Sequence, residues 1–198
     1  MSQANPAPED AAAKRRARQT LINLLLSLGA SMAIVIGLVL IVPRDDSNRI
    51  RPVDYVAIAS DAQSTTTLPV LVPKIASGWW SNAARWKDTK AAADGVASWY
   101  VGFVGPANQY IGMTQAFNIN PTWLAEQLKN NAKTGEVPIA GKTWQVYEAI
   151  IPNDPPSTRE FEMVLKVKND VVLIYGTAKP KDFYALAAQI NSEIDRKY

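Results

Sequence analysis

Residues 97–117 read ASWYVGFVGPANQYIGMTQAF, and the fold class follows from how that stretch divides. Gly105-Pro106-Ala107-Asn108 is a turn sequence, flanked by two runs rich in β-branched and aromatic residues, Ala97 to Val104 and Gln109 to Phe117. Such a pattern predicts an antiparallel hairpin. In the second run Ile111, Met113 and Phe117 point one way while Tyr110, Gly112 and Thr114 point the other, because successive side chains of a strand alternate between faces. An isolated hairpin is marginal in water, so neighbouring segments must extend it.

Working outward, Trp79 to Trp86 is a further strand, joined to the hairpin by a loop through Lys87 to Gly95. After the hairpin, Asn120 offers an N-cap with Pro121 at the first helical position, predicting a helix through Asn131 that buries Leu124 and Leu128. The same grammar then recurs. Val137 to Ile139 and Lys142 to Ile150 flank a turn at Ala140-Gly141, and Pro152 to Pro156 is a loop. Phe161, Met163, Leu165 and Val167 alternate with Glu160, Glu162, Lys166 and Lys168, which predicts a strand with one wet face. Val171 to Thr177 follows a turn at Lys168-Asn169-Asp170. A last helix starts at Pro180, with Phe183, Leu186, Ala187, Ile190 and Ile194 on one face. Upstream, Val53 to Gln63 reads as a short helix, and Leu68 to Val72, between prolines, as extended chain. The expectation is an α+β domain over residues 53–198, an antiparallel β-sheet with about three helices packed on it. Two βββα-like runs leave open whether the domain is an internal duplication.

Ahead of this domain, Leu21 to Val42 is 22 residues long and carries no charge. A helix of that length spans roughly the 30 Å hydrocarbon core of a bilayer. The apolar part of a cleaved signal peptide is shorter and ends in a small-residue cleavage site, whereas Pro43, Arg44, Asp45 and Asp46 follow here. The chain is therefore divided into a disordered basic tail (1–20), a transmembrane helix (21–42), a juxtamembrane linker (43–52) and the α+β domain. Lys14, Arg15, Arg16 and Arg18 precede the span. Flanking basic residues stay cytoplasmic, so the expected topology is a single pass through the plasma membrane with the tail inside and the domain outside. Gly29, Ala33 and Gly37 form a small-residue stripe along the span, a candidate surface for packing against another helix.

Composition removes much of the catalytic repertoire. The 198 residues include no Cys and no His, so Cys/His zinc sites, His- or Cys-held haem, Ser-His-Asp triads and Cys nucleophiles are excluded. Two of the three net positive charges belong to the tail, where four basic residues oppose Glu9 and Asp10. The nearly neutral domain lacks the basic stripe that nucleic-acid binding needs. Neither an EF-hand-like acidic run nor a phosphate loop in a strand-to-helix context is present. Glu160 and Glu162, with Glu148 expected across the sheet, are the carboxylates nearest to a catalytic pair, but a solvated strand face explains them. No catalytic, metal or cofactor residue is assigned.

Aromatic side chains are the main chemical asset. All six Trp and all seven Tyr lie beyond the span, and most are expected in the core. Trp79, Trp80, Trp86, Trp99 and Tyr100 are the candidates for a partly exposed interaction platform, because neighbours on a strand point to opposite faces. Such a surface would suit a protein partner, a glycan or an acyl chain.

These residues also carry a family resemblance. The basic tail, the anchor ending in Pro43, Val53-Asp54, Pro73, Gly78-Trp79, Trp99 to Val104, Tyr110, Gln115, Gly141 with Trp144 and Tyr147, and Gly176-Thr177-Ala178 stand in the order of the actinobacterial envelope family called domain of unknown function 4245. The chain resembles that family over nearly its whole length and departs from it at Lys179, where a Ser-like helix cap is expected, and in the doubled Trp79-Trp80. Its order of strands and helices is also similar to Mog1/PsbP-like domains, including mycobacterial LpqN-type lipoproteins that bind other proteins. Taken with the aromatic residues and the missing catalytic groups, the expected function is a non-catalytic, membrane-anchored binding or assembly protein of the cell envelope, an accessory subunit of a larger membrane complex being one form of it. The alternative is a carrier or sensor of a lipid or glycan.

Overall fold

In a computed structural model the described residues are 8–41, 51–128, 131–151 and 157–198. They fall into two compact units, Met1–Arg49 and Ile50–Tyr198.

The described residues of the first unit form one helix, α1 (Pro8–Ile41). It begins ahead of the basic cluster, so Lys14 to Arg18 are helical rather than part of an irregular tail; residues 1–7 and most of the expected linker lie outside the described residues. Within Ala13–Leu40 the most apolar 18-residue stretch has a mean hydropathy of 2.2, which makes this the one described helix long and apolar enough to cross a membrane. Its large apolar side chains are exposed, Leu24 at 62% and Leu40 at 79%. A helix apolar on all sides suits a lipid solvent.

The second unit is α+β. It contains α2 (Tyr55–Thr65), β1 (Trp80–Lys87), β2 (Ser98–Val104), β3 (Tyr110–Ala116), α3 (Pro121–Gln127), β4 (Asn131–Ile139), β5 (Lys142–Ala149), β6 (Phe161–Val167), β7 (Asp170–Gly176) and α4 (Pro180–Lys197). The strands form one seven-stranded antiparallel sheet in the order β1-β2-β3-β7-β6-β5-β4. Thus β1 to β3 form one meander, the chain crosses to the far edge, and β4 to β7 return so that β7 closes on β3. The two halves are unequal, three strands against four.

Local chemistry sets the elements. The Asp54 carboxylate caps α2 by accepting from the N–H groups of Val56 and Ala57 at 3.1 and 3.0 Å. Asn120 caps α3 by accepting from the Trp123 N–H at 2.7 Å. That helix ends at Gln127, short of the expected Asn131, which instead opens β4. Lys179 occupies the N-cap of α4 without a side-chain cap bond, and Pro180 starts the helix. The β2/β3 turn closes with Asn108 at φ 58°, a conformation that Asn tolerates well.

Both faces of the sheet are covered, which corrects the expectation of a wet face. On one face α2 and α4 pack over Trp99, Val101, Phe103, Met113, Trp144, Met163, Leu165 and Ile174. The extended strap ahead of β1 crosses this face: the buried Gln115 donates to Pro69 O at 2.7 Å and accepts from Leu71 N at 3.0 Å, while Trp99 Nε1 donates to Leu71 O at 2.9 Å. On the other face Trp123 and Leu128 close over Val96, Ala116, Val164, Val171, Leu173 and Tyr175. Glu162, read as solvated, is consequently fully buried.

Candidate functional site

Two concave regions sit on opposite faces. The first, of about 250 Å³, opens on the helix-covered face. Ile75, Trp79, Phe103, Ile111 and Leu186 line it, joined by Lys74, Asp182 and Gln189. The strap supplies Trp79 and Ile75 and α4 supplies Leu186, so the cleft lies where the strap and the last helix diverge over β2 and β3. Its walls are mainly apolar, with charge confined to Lys74 and Asp182.

The second, of about 280 Å³, is a polar groove beside α3. Its floor comes from a row of side chains crossing the sheet: Arg85 pairs with Tyr100, Tyr100 with Thr114, and Lys87 with Ser98. The adjacent row runs through Gly102, Gly112, Tyr175, Glu162 and Tyr147. Two facing glycines leave room there that tyrosines fill. A Cβ on Gly112 would lie 2.8 Å from the Tyr175 ring, and one on Gly102 would lie 3.1 Å from both the Tyr100 and Tyr110 hydroxyls. Those two hydroxyls are hydrogen-bonded to each other, and Tyr175 is hydrogen-bonded to Thr114.

Cations stack on these rings. The Arg85 guanidinium lies 4.3 Å from the Tyr100 ring centre and that of Arg159 lies 3.7 Å from Tyr175. Arg159 also donates to Glu162 Oε1 and Gln127 Oε1, both at 3.3 Å. Glu162 Oε2 is buried without a hydrogen-bond partner. Burial outweighs the opposing pull of Arg159 and pushes the Glu162 carboxyl from its ordinary 4.5 to about 7. Burial also raises Tyr110 and Tyr175 above the usual phenol range. The far wall holds Asp94, whose carboxylate accepts from Trp123 Nε1 at 2.8 Å and from the Val96 N–H at 3.1 Å.

The five aromatic residues singled out from the sequence do not form one platform. Trp99 is fully buried in the core and has no surface to present. Trp86 is partly buried on the same face, edge-on to Phe117 at 5.7 Å. Trp79 lines the apolar cleft, and Tyr100 the polar groove on the opposite face. Trp80 pairs with Val104, in line with Tyr100 rather than with Trp99. The carboxylates also separate: Glu148 is exposed and pairs with Phe161, while Tyr147 faces Glu162. Sequence reasoning missed Arg85, Arg159, Tyr110 and Tyr175. The wholly apolar run Val171 to Tyr175 was the available signal, since such a strand is covered on both faces.

A family model described as protein of unknown function, DUF4245, matches residues 16–190. The chain belongs to this family. The match to DUF4245 takes in the apolar helix, every strand and most of α4. No curated protein and no solved structure matches the chain.

Proposed function

We propose that this DUF4245 chain is a non-catalytic, membrane-anchored binding protein of the cell envelope, an accessory or assembly subunit of a membrane complex. In this reading α1 spans the plasma membrane with Lys14 to Arg18 inside, and the α+β domain works outside. The apolar cleft beside Trp79 carries the proposal. Clefts that enclose whole drug-sized ligands run from about 300 to 1,000 Å³. At about 250 Å³, this cleft suits one or two apolar side chains of a protein partner, the kind of anchor that dominates interface energies. A lipid carrier is the second reading, favoured by the apolar lining.

Purification of the tagged full chain in a mild detergent, in parallel with Trp79→Ala, separates the two. Reproducible membrane-protein partners whose recovery falls with Trp79→Ala support the subunit reading. A stoichiometric lipid in native mass spectrometry, lost with the same change and without protein partners, supports the carrier. Finding neither a reproducible protein partner nor a stoichiometric lipid would refute both readings. Protease added to intact spheroplasts should digest the domain and spare the anchor; protection of the domain would reverse the topology.

A further inference from the structure

The polar groove lies on the face of the sheet opposite the Trp79 cleft, and its chemistry is different. Arg85 and Lys87 are exposed neighbours on one face of β1, and neither forms an ion pair with a carboxylate among the described residues. Both line the groove, with the Ser98 hydroxyl across the strand pairing from Lys87; the Tyr100 and Thr114 hydroxyls are already hydrogen-bonded to Tyr110 and Tyr175. Two cations held beside a hydroxyl donor form a receptor for an oxyanion. The Tyr100 ring under the Arg85 guanidinium orients that fork.

The opposite wall narrows the choice. Asp94 would repel a bare anion filling the whole groove, but its two oxygens, each already accepting one bond, retain lone pairs for a hydroxyl. Gln127 accepts from Arg159 through Oε1, which leaves its amide group as a donor. A volume of about 280 Å³ leaves space for more than a phosphate alone. We propose that this groove binds a phosphate ester of a small polyol, with Arg85 and Lys87 holding the phosphate and Asp94 and Gln127 holding the hydroxyls.

Glu162 makes the site sensitive to pH. The carboxyl is faced by Arg159 from its own end of β6, by Tyr175 from β7 and by Tyr147 from β5; Arg159 in turn bonds Gln127 near the end of α3. When Glu162 takes up a proton, Arg159 loses its counter-charge. The surroundings of the groove become more positive, so affinity for a phosphodiester, whose single charge is constant in this range, rises as pH falls from 8 to 6; a monoester also takes up a proton at about pH 6, which opposes the rise.

Isothermal titration of the full chain in an uncharged polyoxyethylene detergent tests this with glycerol 3-phosphate, glucose 1-phosphate, short-chain phosphatidylglycerol and glucose. We expect saturable one-to-one binding of a phosphate ester. The exposed pair Arg85→Ala/Lys87→Ala should weaken it about tenfold or more, and Lys74→Ala, at the other cleft, should not. Preference for the diester would mark a lipid headgroup as the natural source, and preference for a monoester a soluble metabolite. Glu162→Gln should remove the pH dependence of binding by the diester, whose own charge does not change from pH 8 to 6. Absence of saturable binding by all the esters, equal binding by the double variant, or equal binding of glucose would overturn the proposal.

Discussion

Glu162 on β6 faces Tyr175 on β7 directly across the sheet, and Arg159 reaches both, bonding the carboxylate at 3.3 Å and stacking on the ring at 3.7 Å. A fully buried carboxylate with one oxygen unpartnered is costly when ionised. The arrangement turns a strand residue into a proton-binding group near neutral pH. Because the chain has no His and no Cys, few other side chains change charge there.

This gives a sign for stability against pH. The raised pKa means that the folded chain keeps the Glu162 proton to about pH 7 while the unfolded chain releases it near 4.5. Between those values the folded state binds more protons, so stability falls as pH rises and levels off above about 7. The full loss is on the order of 3 kcal/mol, of which about 2 kcal/mol falls between pH 5.5 and 8. Thermal unfolding of the full chain in neutral detergent should show the decline, and Glu162→Gln should flatten it. A flat profile for the native sequence would contradict the assignment.

The Gly102–Gly112 pair makes room for tyrosines, so an added methyl should be felt there. Gly112→Ala would put its Cβ 2.8 Å from the Tyr175 ring, whereas Gly135 on the edge strand has nothing within 4 Å. Gly112→Ala should cost about 1–3 kcal/mol through overpacking, and Gly135→Ala less than 1 kcal/mol. Comparison of the two melting temperatures decides it: equal values would mean that the tyrosine row yields freely.

The sheet was legible because its turns and alternation are strong. Gly105 to Asn108 and Ala140-Gly141 stand where the chain reverses, and the last helix begins at Pro180 as its spacing requires. The loss of Asn131 from α3 to β4 reflects the low helix preference of Asn when strand pairing with Ala149 competes for it. The site was less legible, because polarity was taken as exposure. Glu162 and Lys166 share the pattern of a wet face, yet α3 returns over the first and leaves the second exposed. Alternation tells which residues share a face; only tertiary packing tells whether a helix covers it.

A third test concerns the core beneath α4. Trp144 Nε1 donates to Asn191 Oδ1 at 3.2 Å, and Asn191 Nδ2 donates to Ile139 O. Both side chains are buried. Trp144→Phe should leave the Asn191 oxygen without a donor and lower stability by about 2–4 kcal/mol, since an unsatisfied polar group and a small cavity are created together. Asn191→Asp should be worse above the carboxylate pKa, because it buries a charge. Chemical denaturation monitored by tryptophan fluorescence measures the first, and its pH dependence the second.

The last prediction joins the span to the Trp79 cleft. A subunit tethered in the bilayer meets a partner in the same membrane at high effective concentration, so two weak contacts suffice where neither alone would hold. Gly29 and Gly37 have nothing within 4 Å of an added Cβ, and Ala33 lies between them at spacings of four. Replacing all three with Leu should block close helix approach yet preserve insertion, because Leu is favourable in lipid. Trp79→Ala should remove an anchor worth on the order of 2 kcal/mol, about thirtyfold in affinity. Each change alone should reduce partner recovery, and the two together should abolish it while the domain still melts cooperatively. If the triple Leu variant recovers its partners fully and Trp79→Ala alone abolishes recovery, the span is only a tether and the cleft carries the recognition. If both variants recover everything, the assembly reading fails.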